Sequence, residues 1–176
     1  MNKDIILRVN DQIHLKILKV SDVNESYVKW LNDYEVTKYT EQRYFKHDVK
    51  RVKKFVDEKY KSENDLLFGI YFENLHIGNI KLGPIIWEHK SANISYIIGN
   101  KSFWRKGIAT LCIKKILQYA IEKYSIKKIK AQYYELNMAS KKVLEKCGFV
   151  IEGTLIKEIE FEGKRINNIL VGYNHS

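Results

Sequence analysis

The chain has 176 residues, the length of one domain, and 45% hydrophobic residues provide a core that needs neither disulfides nor a structural metal. Its 31 Lys and Arg against 21 Asp and Glu leave a formal charge of +10, which suits a nucleic acid or a phosphate-rich cofactor and repels a polycation. No run of about 18 apolar residues is present and the N-terminus lacks signal-peptide order, so neither a membrane span nor export is expected and a cytoplasmic protein is.

The basic residues are spread over the whole chain, with local clusters such as Lys127-Lys128, and no nucleic-acid-binding motif accompanies them. Diffuse surface charge is the simpler reading, and no nucleic-acid partner is expected. Pro84 is the single proline, and no Gly/Ser linker, repeat or low-complexity tract marks a boundary, so residues 1–176 read as one domain.

In chain order, His14 to Val20 alternates with period two and predicts a strand, after which Ser21 offers an N-cap for a helix through Tyr27, Trp30 and Leu31. Asn32 to His47 is polar and aromatic without periodicity, the kind of segment that borders a site. Asp48 to Tyr60 predicts a second helix with Val52, Phe55 and Val56 on one face and lysines on the other. Leu66 to Phe72 and His76 to Leu82 predict a β-hairpin, and Ser91 to Gly99 a further strand antiparallel to it. A helix over Gly107 to Tyr124 follows, then a strand over Ile126 to Tyr134 and a short helix over Met138 to Lys146 capped by Asn137. Phe149 to Phe161 and Arg165 to Tyr173 form a last hairpin turning at Glu162-Gly163-Lys164. The order β-α-α-β-β-β-α-β-α-β-β predicts an α/β fold with a mixed, mostly antiparallel sheet and helices on both faces. The crossover through the Gly107 helix requires one parallel pair.

Cys112 and Cys147 fall in helical or helix-end segments without metal-ligand spacing or a C-x-x-C pair, and read as buried small hydrophobes. His14, His47, His76, His89 and His175 are scattered, and none shows the i, i+4 spacing of a helical metal pair, so no metal is expected.

The most informative stretch is Ile98-Gly99-Asn100-Lys101-Ser102-Phe103-Trp104-Arg105-Lys106-Gly107-Ile108-Ala109-Thr110. It runs from a strand end through a basic turn into a helix, whose first backbone N–H groups are unpaired at the positive end of the dipole. That is a pyrophosphate cradle: Gly107 lets the backbone approach the phosphates, Ala109 avoids crowding them, and Arg105 and Lys106 add charge at the rim. An ordinary strand-to-helix turn containing a glycine fits the stretch equally well.

This stretch resembles the acetyl-CoA-binding signature of the GNAT superfamily of N-acetyltransferases, Gln/Arg-x-x-Gly-x-Gly/Ala. Trp104 stands at the position that often holds Gln or Arg, as it does in the branch resembling the ribosomal-protein N-terminal acetyltransferases. Downstream, Asn137-Met138-Ala139-Ser140 and Glu145-Lys146-Cys147-Gly148-Phe149 are similar to the superfamily's Asn-x-x-Ser/Ala helix ending in Glu-Lys-x-Gly-Phe. The two motifs stand in the right order and the resemblance covers nearly the whole chain.

The resemblance implies a mixed, mostly antiparallel twisted sheet flanked by helices, with acetyl-CoA as co-substrate and a primary amine as acceptor. Cofactor contacts are implied at Ile97, Ile98, Trp104, Arg105, Lys106, Gly107, Ile108, Ala109, Thr110, Asn137 and Ser140, a free N–H near Ile97 or Ile98 holding the thioester carbonyl. Many members carry a tyrosine general acid in the second helix; the matching position here is Leu144. In the ribosomal-protein branch the serine of Asn-x-x-Ser can serve instead, which designates Ser140, although a hydroxyl at the third helical position also bonds locally to backbone. Glu160 is the candidate base, with a solvated strand glutamate as its plain alternative, and Glu135 or a water chain stands in reserve. Asn93 occupies a position where some relatives carry an acid.

Tyr34, Tyr39, Tyr44, Trp87, Tyr133 and Tyr134 are candidates to line the acceptor pocket, though each is equally a packing residue. The branch implies a protein N-terminus or a small-molecule amine, and His76 to Ile85 followed by Ile98-Gly99-Asn100-Lys101 is similar to acetyltransferases of nucleotide-linked amino sugars. A polyamine fits the chain's charge least well. A non-catalytic acetyl-CoA-binding module stays open because the usual tyrosine is missing. Monomer and homodimer are both compatible with the resemblance.

Overall fold

A computed structural model describes residues 3–175. Eight strands form one sheet in the order β1-β2-β3-β4-β5-β6-β8-β7. They are β1 (Ile6–Arg8), β2 (Ile13–Ile17), β3 (Leu66–Phe72), β4 (Leu75–Ile86), β5 (Ser91–Ile98), β6 (Lys128–Tyr134), β7 (Val150–Phe161) and β8 (Lys164–Asn174). Among the described residues only β5 and β6 pair in parallel, as the crossover through the intervening helix demands. The mixed, mostly antiparallel sheet is therefore as expected.

The helices are α1 (Glu25–Leu31), α2 (Tyr34–Thr37), α3 (Val49–Lys61), α4 (Ile108–Tyr124) and α5 (Met138–Lys146). Alternation in the central strands sends side chains to both faces. Leu66, Phe68, Ile80 and Ile94 meet Cys112, Ile113, Ile116 and Leu117 of α4, while Leu67 and Ile97 meet Tyr27 and Trp30 of α1 and Val52 and Val56 of α3. The first pattern makes β3 an apolar run, because both of its faces are covered.

Several boundaries differ from the sequence expectation. Strand pairing ends at Ile17, and Val20–Asp22 forms a 3₁₀ turn, so Ser21 caps nothing; Asn24 is the N-cap of α1, its side chain accepting the Tyr27 amide. A short first strand was not expected, since Ile5, Leu7 and Val9 alternate over too few residues to be read as one, yet all three pack on the core. Strand β6 begins at Lys128, two residues after Ile126. Phe55 lies outside the buried stripe of α3, which is Val52 and Val56. Asn137 caps α5 as expected, accepting the amide of Ser140, while Asp48, expected as the first residue of a helix, is the N-cap of α3 and accepts the amide of Arg51.

Candidate active site

Two strands that begin parallel and then part create the central feature. β5 and β6 pair only through Ser91–Asn93 and Lys128–Lys130. Beyond that, β5 continues to Ile98 and β6 to Tyr134 without pairing each other, so a wedge opens where β5 keeps its pairing to β4 and lacks a partner on its β6 side.

At the tip of β5 the chain turns into α4. Arg105 and Gly107 both adopt left-handed backbone, φ 60° and φ 75°. Alternation of left- and right-handed residues aims successive N–H groups into one concavity, the geometry of an anion nest. The first intrahelical bond is donated by Leu111 to the Gly107 carbonyl, which leaves the amides of Ile108, Ala109 and Thr110 directed outward. A Cβ added at Gly107 would meet nothing within 4 Å, so the space above it is open to a ligand. Trp104 donates its indole N–H to the Ile98 carbonyl at 2.8 Å, tying the turn to the wedge, and the Lys106 ammonium lies over the Phe103 ring.

The N-terminus of α5 meets the β5 wall of the wedge. Asn137 accepts the Ser140 amide at 3.1 Å and so fixes the first turn. The Ser140 hydroxyl shares a hydrogen bond of 2.9 Å with the phenol of Tyr96, which reaches over from β5. Burial pushes the Tyr96 phenol up to about 12, so it stays protonated and able to donate. Leu144, at the position of the usual tyrosine, is buried in the core.

On the opposite face of β5 lies a cavity of about 400 Å³ under the segment between α1 and α3. From the sheet it is lined by Asn79, Lys81, Ser95, Tyr96 and Ile97, and its walls include Phe45, His47 and Arg51. His47 is buried, its backbone amide donating to the Asn32 side chain at 2.9 Å. Burial, and secondarily the Arg51 guanidinium, holds its imidazole below the ordinary histidine range, so the ring is neutral at pH 7. Asn79 is fixed by His76, whose Nε2 stands 2.8 Å from the Asn79 Oδ1.

The remaining sequence candidates are dispersed. Glu160 forms a cross-strand ion pair with Arg165 at 3.3 Å, while its carbonyl accepts from Arg43 and Tyr44. Glu135 spends both carboxylate oxygens on Asn167, at 2.8 and 2.9 Å. Tyr34 and Tyr44 line a second cavity of about 330 Å³ beside the first. Tyr39 stacks on Phe161, Tyr134 donates to Glu41, Tyr133 faces the core, and Trp87 packs against Tyr124 away from the site. Among the described residues, no cluster of three His, Cys, Asp or Glu is placed to hold a metal, and no helix is long and apolar enough to cross a membrane.

Tyr96, His47 and Arg51 were not singled out from sequence. Tyr96 alternates with Ile94 and Ile98 and looks like a core aromatic, and His47 and Arg51 gain meaning only when α3 folds over β5. The period-two pattern did mark Tyr96 as sharing a face with Ile94, which was the one usable signal.

A parallel pair that splays above an amide nest defines an acyl-carrier-binding enzyme of the acetyltransferase type. The family model described as an acetyltransferase (GNAT) domain matches residues 12–150, and the chain belongs to that family. It is 30% identical over 117 residues to "Probable N-acetyltransferase YjcK" of Bacillus subtilis (strain 168), a match that spans 65% of this chain and 64% of that protein. The ribosomal L7/L12 α-N-protein acetyltransferase RimL in complex with coenzyme A superposes with a TM-score of 0.86 at 16% identity, covering 96% of this chain and 97% of that one. The microcin C7 self-immunity acetyltransferase MccE in complex with acetyl-CoA and AMP gives 0.82 at 24% identity, over 95% and 94%.

Proposed function

We propose that the protein transfers the acetyl group of acetyl-CoA to a primary amine by direct attack in a ternary complex. The observation that carries this reading is the shared wall: β5 carries the Tyr96–Ser140 pair and runs into the amide nest, and its residues Ser95, Tyr96 and Ile97 also line the cavity. A thioester lying in the wedge and an amine in the cavity can then meet across one strand.

In this reading the nest amides at 108–110, with Arg105 and Lys106, hold the pyrophosphate, and a backbone N–H at Ile97 or Ile98 donates to the thioester oxygen as its negative charge develops. Ser140 donates to the departing thiolate. Tyr96 donates to Ser140 and so orients that hydrogen, supplying from the sheet what the family's tyrosine supplies from the helix.

The attacking nitrogen must lose its proton. His47 is the one imidazole lining the larger cavity and burial keeps it neutral at pH 7, able to take a proton, whereas Glu160 as placed is paired with Arg165. A cavity of this size takes either a small amine or the first residues of a peptide.

Thiol release from acetyl-CoA, followed over N-terminal peptides, nucleotide-linked amino sugars and polyamines, tests the reading. Turnover on one class supports it. Tight acetyl-CoA binding without turnover on any amine would leave a non-catalytic binding module.

A further inference from the structure

The walls of the acceptor cavity hold an electrostatic bias that bears on what enters it. None of its lining residues is Asp or Glu, whereas Arg51, Lys81 and the donor-bearing Gln42, Thr40 and Ser95 all contribute. Two carboxylates that contact lining residues, Asp48 and Asp65, already have partners. Asp48 accepts the Arg51 backbone amide at 2.7 Å as the cap of α3, and Asp65 is held by Lys59 at 3.1 Å and the Ser62 hydroxyl at 2.9 Å. Lys81 lies 3.7 Å from that same Asp65, so its charge is already largely answered.

Arg51 is different. Its guanidinium carbon lies over the Phe45 ring, 4.5 Å from the centroid, and its side chain makes no ion pair or hydrogen bond among the described residues. A stacked guanidinium presents its N–H edges in a fixed plane, a fork that matches a carboxylate or a phosphate. Its proximity to His47, whose proton affinity it lowers, places the fork beside the base that would meet the amine.

We infer that the acceptor is a primary amine whose body carries an anionic group, carboxylate or phosphate, seated on the edge of Arg51 while the amine points to β5. The inference rests on the transferase reading and names its substrate class. A polyamine would bring a second ammonium to a wall without a carboxylate, and a neutral alkylamine would leave the fork unused.

The test is the rate of thiol release with four amines of one chain length: hexylamine, diaminohexane, aminohexanoate and aminohexyl phosphate. Each is run on the unaltered protein and on Arg51→Glu. Arg51 is the third residue of α3, where a glutamate favours the helix N-terminus, so the variant keeps its fold. The expected result is an anionic probe exceeding hexylamine in kcat/KM by about tenfold or more, as a charge-assisted bidentate contact gives, with diaminohexane poorest. The faster of the two anionic probes identifies the head group. Arg51→Glu should abolish that preference and raise diaminohexane above the anionic pair.

Equal rates for all four, a preference for hexylamine or diaminohexane, no acetylation of any, or an unchanged ratio in Arg51→Glu would overturn the inference. Acetyl-CoA binding by calorimetry on the same samples separates the two levels. Retained binding with turnover of other amines refutes the substrate class alone, and absent binding refutes the transferase reading beneath it.

Discussion

The hydroxyls of Tyr96 and Ser140 lie 2.9 Å apart, joining a strand of the sheet to the first turn of α5 across the edge of the wedge. If this pair delivers the proton to the leaving thiolate, Ser140→Ala should lower kcat by about a hundredfold with KM for acetyl-CoA little changed. Tyr96→Phe should lower it less, because water can orient the serine. Both variants should also move the alkaline limb of the kcat profile. A loss confined to thermal stability, with kcat intact, would make the pair a packing contact only.

Gly107→Ala separates conformation from ligand access. The left-handed φ of 75° costs an alanine about 1 kcal/mol, and no neighbouring atom adds to that. The melting temperature should fall by only a few degrees, while acetyl-CoA affinity falls by about tenfold or more because the new methyl group projects toward the phosphates.

Gly99→Ala should behave in the opposite way. A Cβ there would stand 2.1 Å from Cδ2 of Trp30, inside the ring that packs against Tyr27 and His76. Overpacking of about 1–3 kcal/mol is expected, seen as a drop in denaturant midpoint with unchanged slope.

Two buried histidines set the acid side of the stability profile. Burial depresses both His47 and His76 below the ordinary value, so the unfolded chain binds protons more readily than the folded one. Stability contributed by their neutral forms is complete above the unfolded pKa of about 6.5 and is lost as pH falls below it toward the folded values. Denaturation followed between neutral and acid pH should show this slope, and His76→Gln should reduce it. Activity should fall in the same direction, with His47→Gln losing more kcat/KM than Glu160→Gln.

The cysteines offer a simple control. Burial pushes the Cys112 thiol up to about 12 and Cys147 to about 11, so neither supplies thiolate at pH 8. Alkylating reagents should leave the folded protein unmodified and label both thiols after denaturation, as mass spectrometry would show.

The cradle was legible in the chain because glycine, basic residues and a helix start are local features. Asn137, Ser140 and the final hairpin were equally plain, since caps and turns depend on neighbouring residues. The acceptor side was not. Its residues come from α1, the segment at 40–47, α3, β4 and β5, and their meeting depends on α3 crossing the sheet. Glu160 illustrates the limit: the resemblance marked the acid before Phe161 as the candidate base, yet only the fold reveals Arg165 across the strand. Arg43 shows the same limit, since its bond to the Glu160 carbonyl joins parts of the chain far apart in sequence.

Isothermal titration with acetyl-CoA tests the central claim most directly, run on the unaltered protein beside Gly107→Ala. One-site binding that weakens in the variant is the predicted result, and it would tie the ligand to the nest between β5 and α4. No detectable heat with the folded, unaltered protein would contradict the assignment of the wedge as an acyl-carrier site, and with it the roles given to Tyr96 and Ser140.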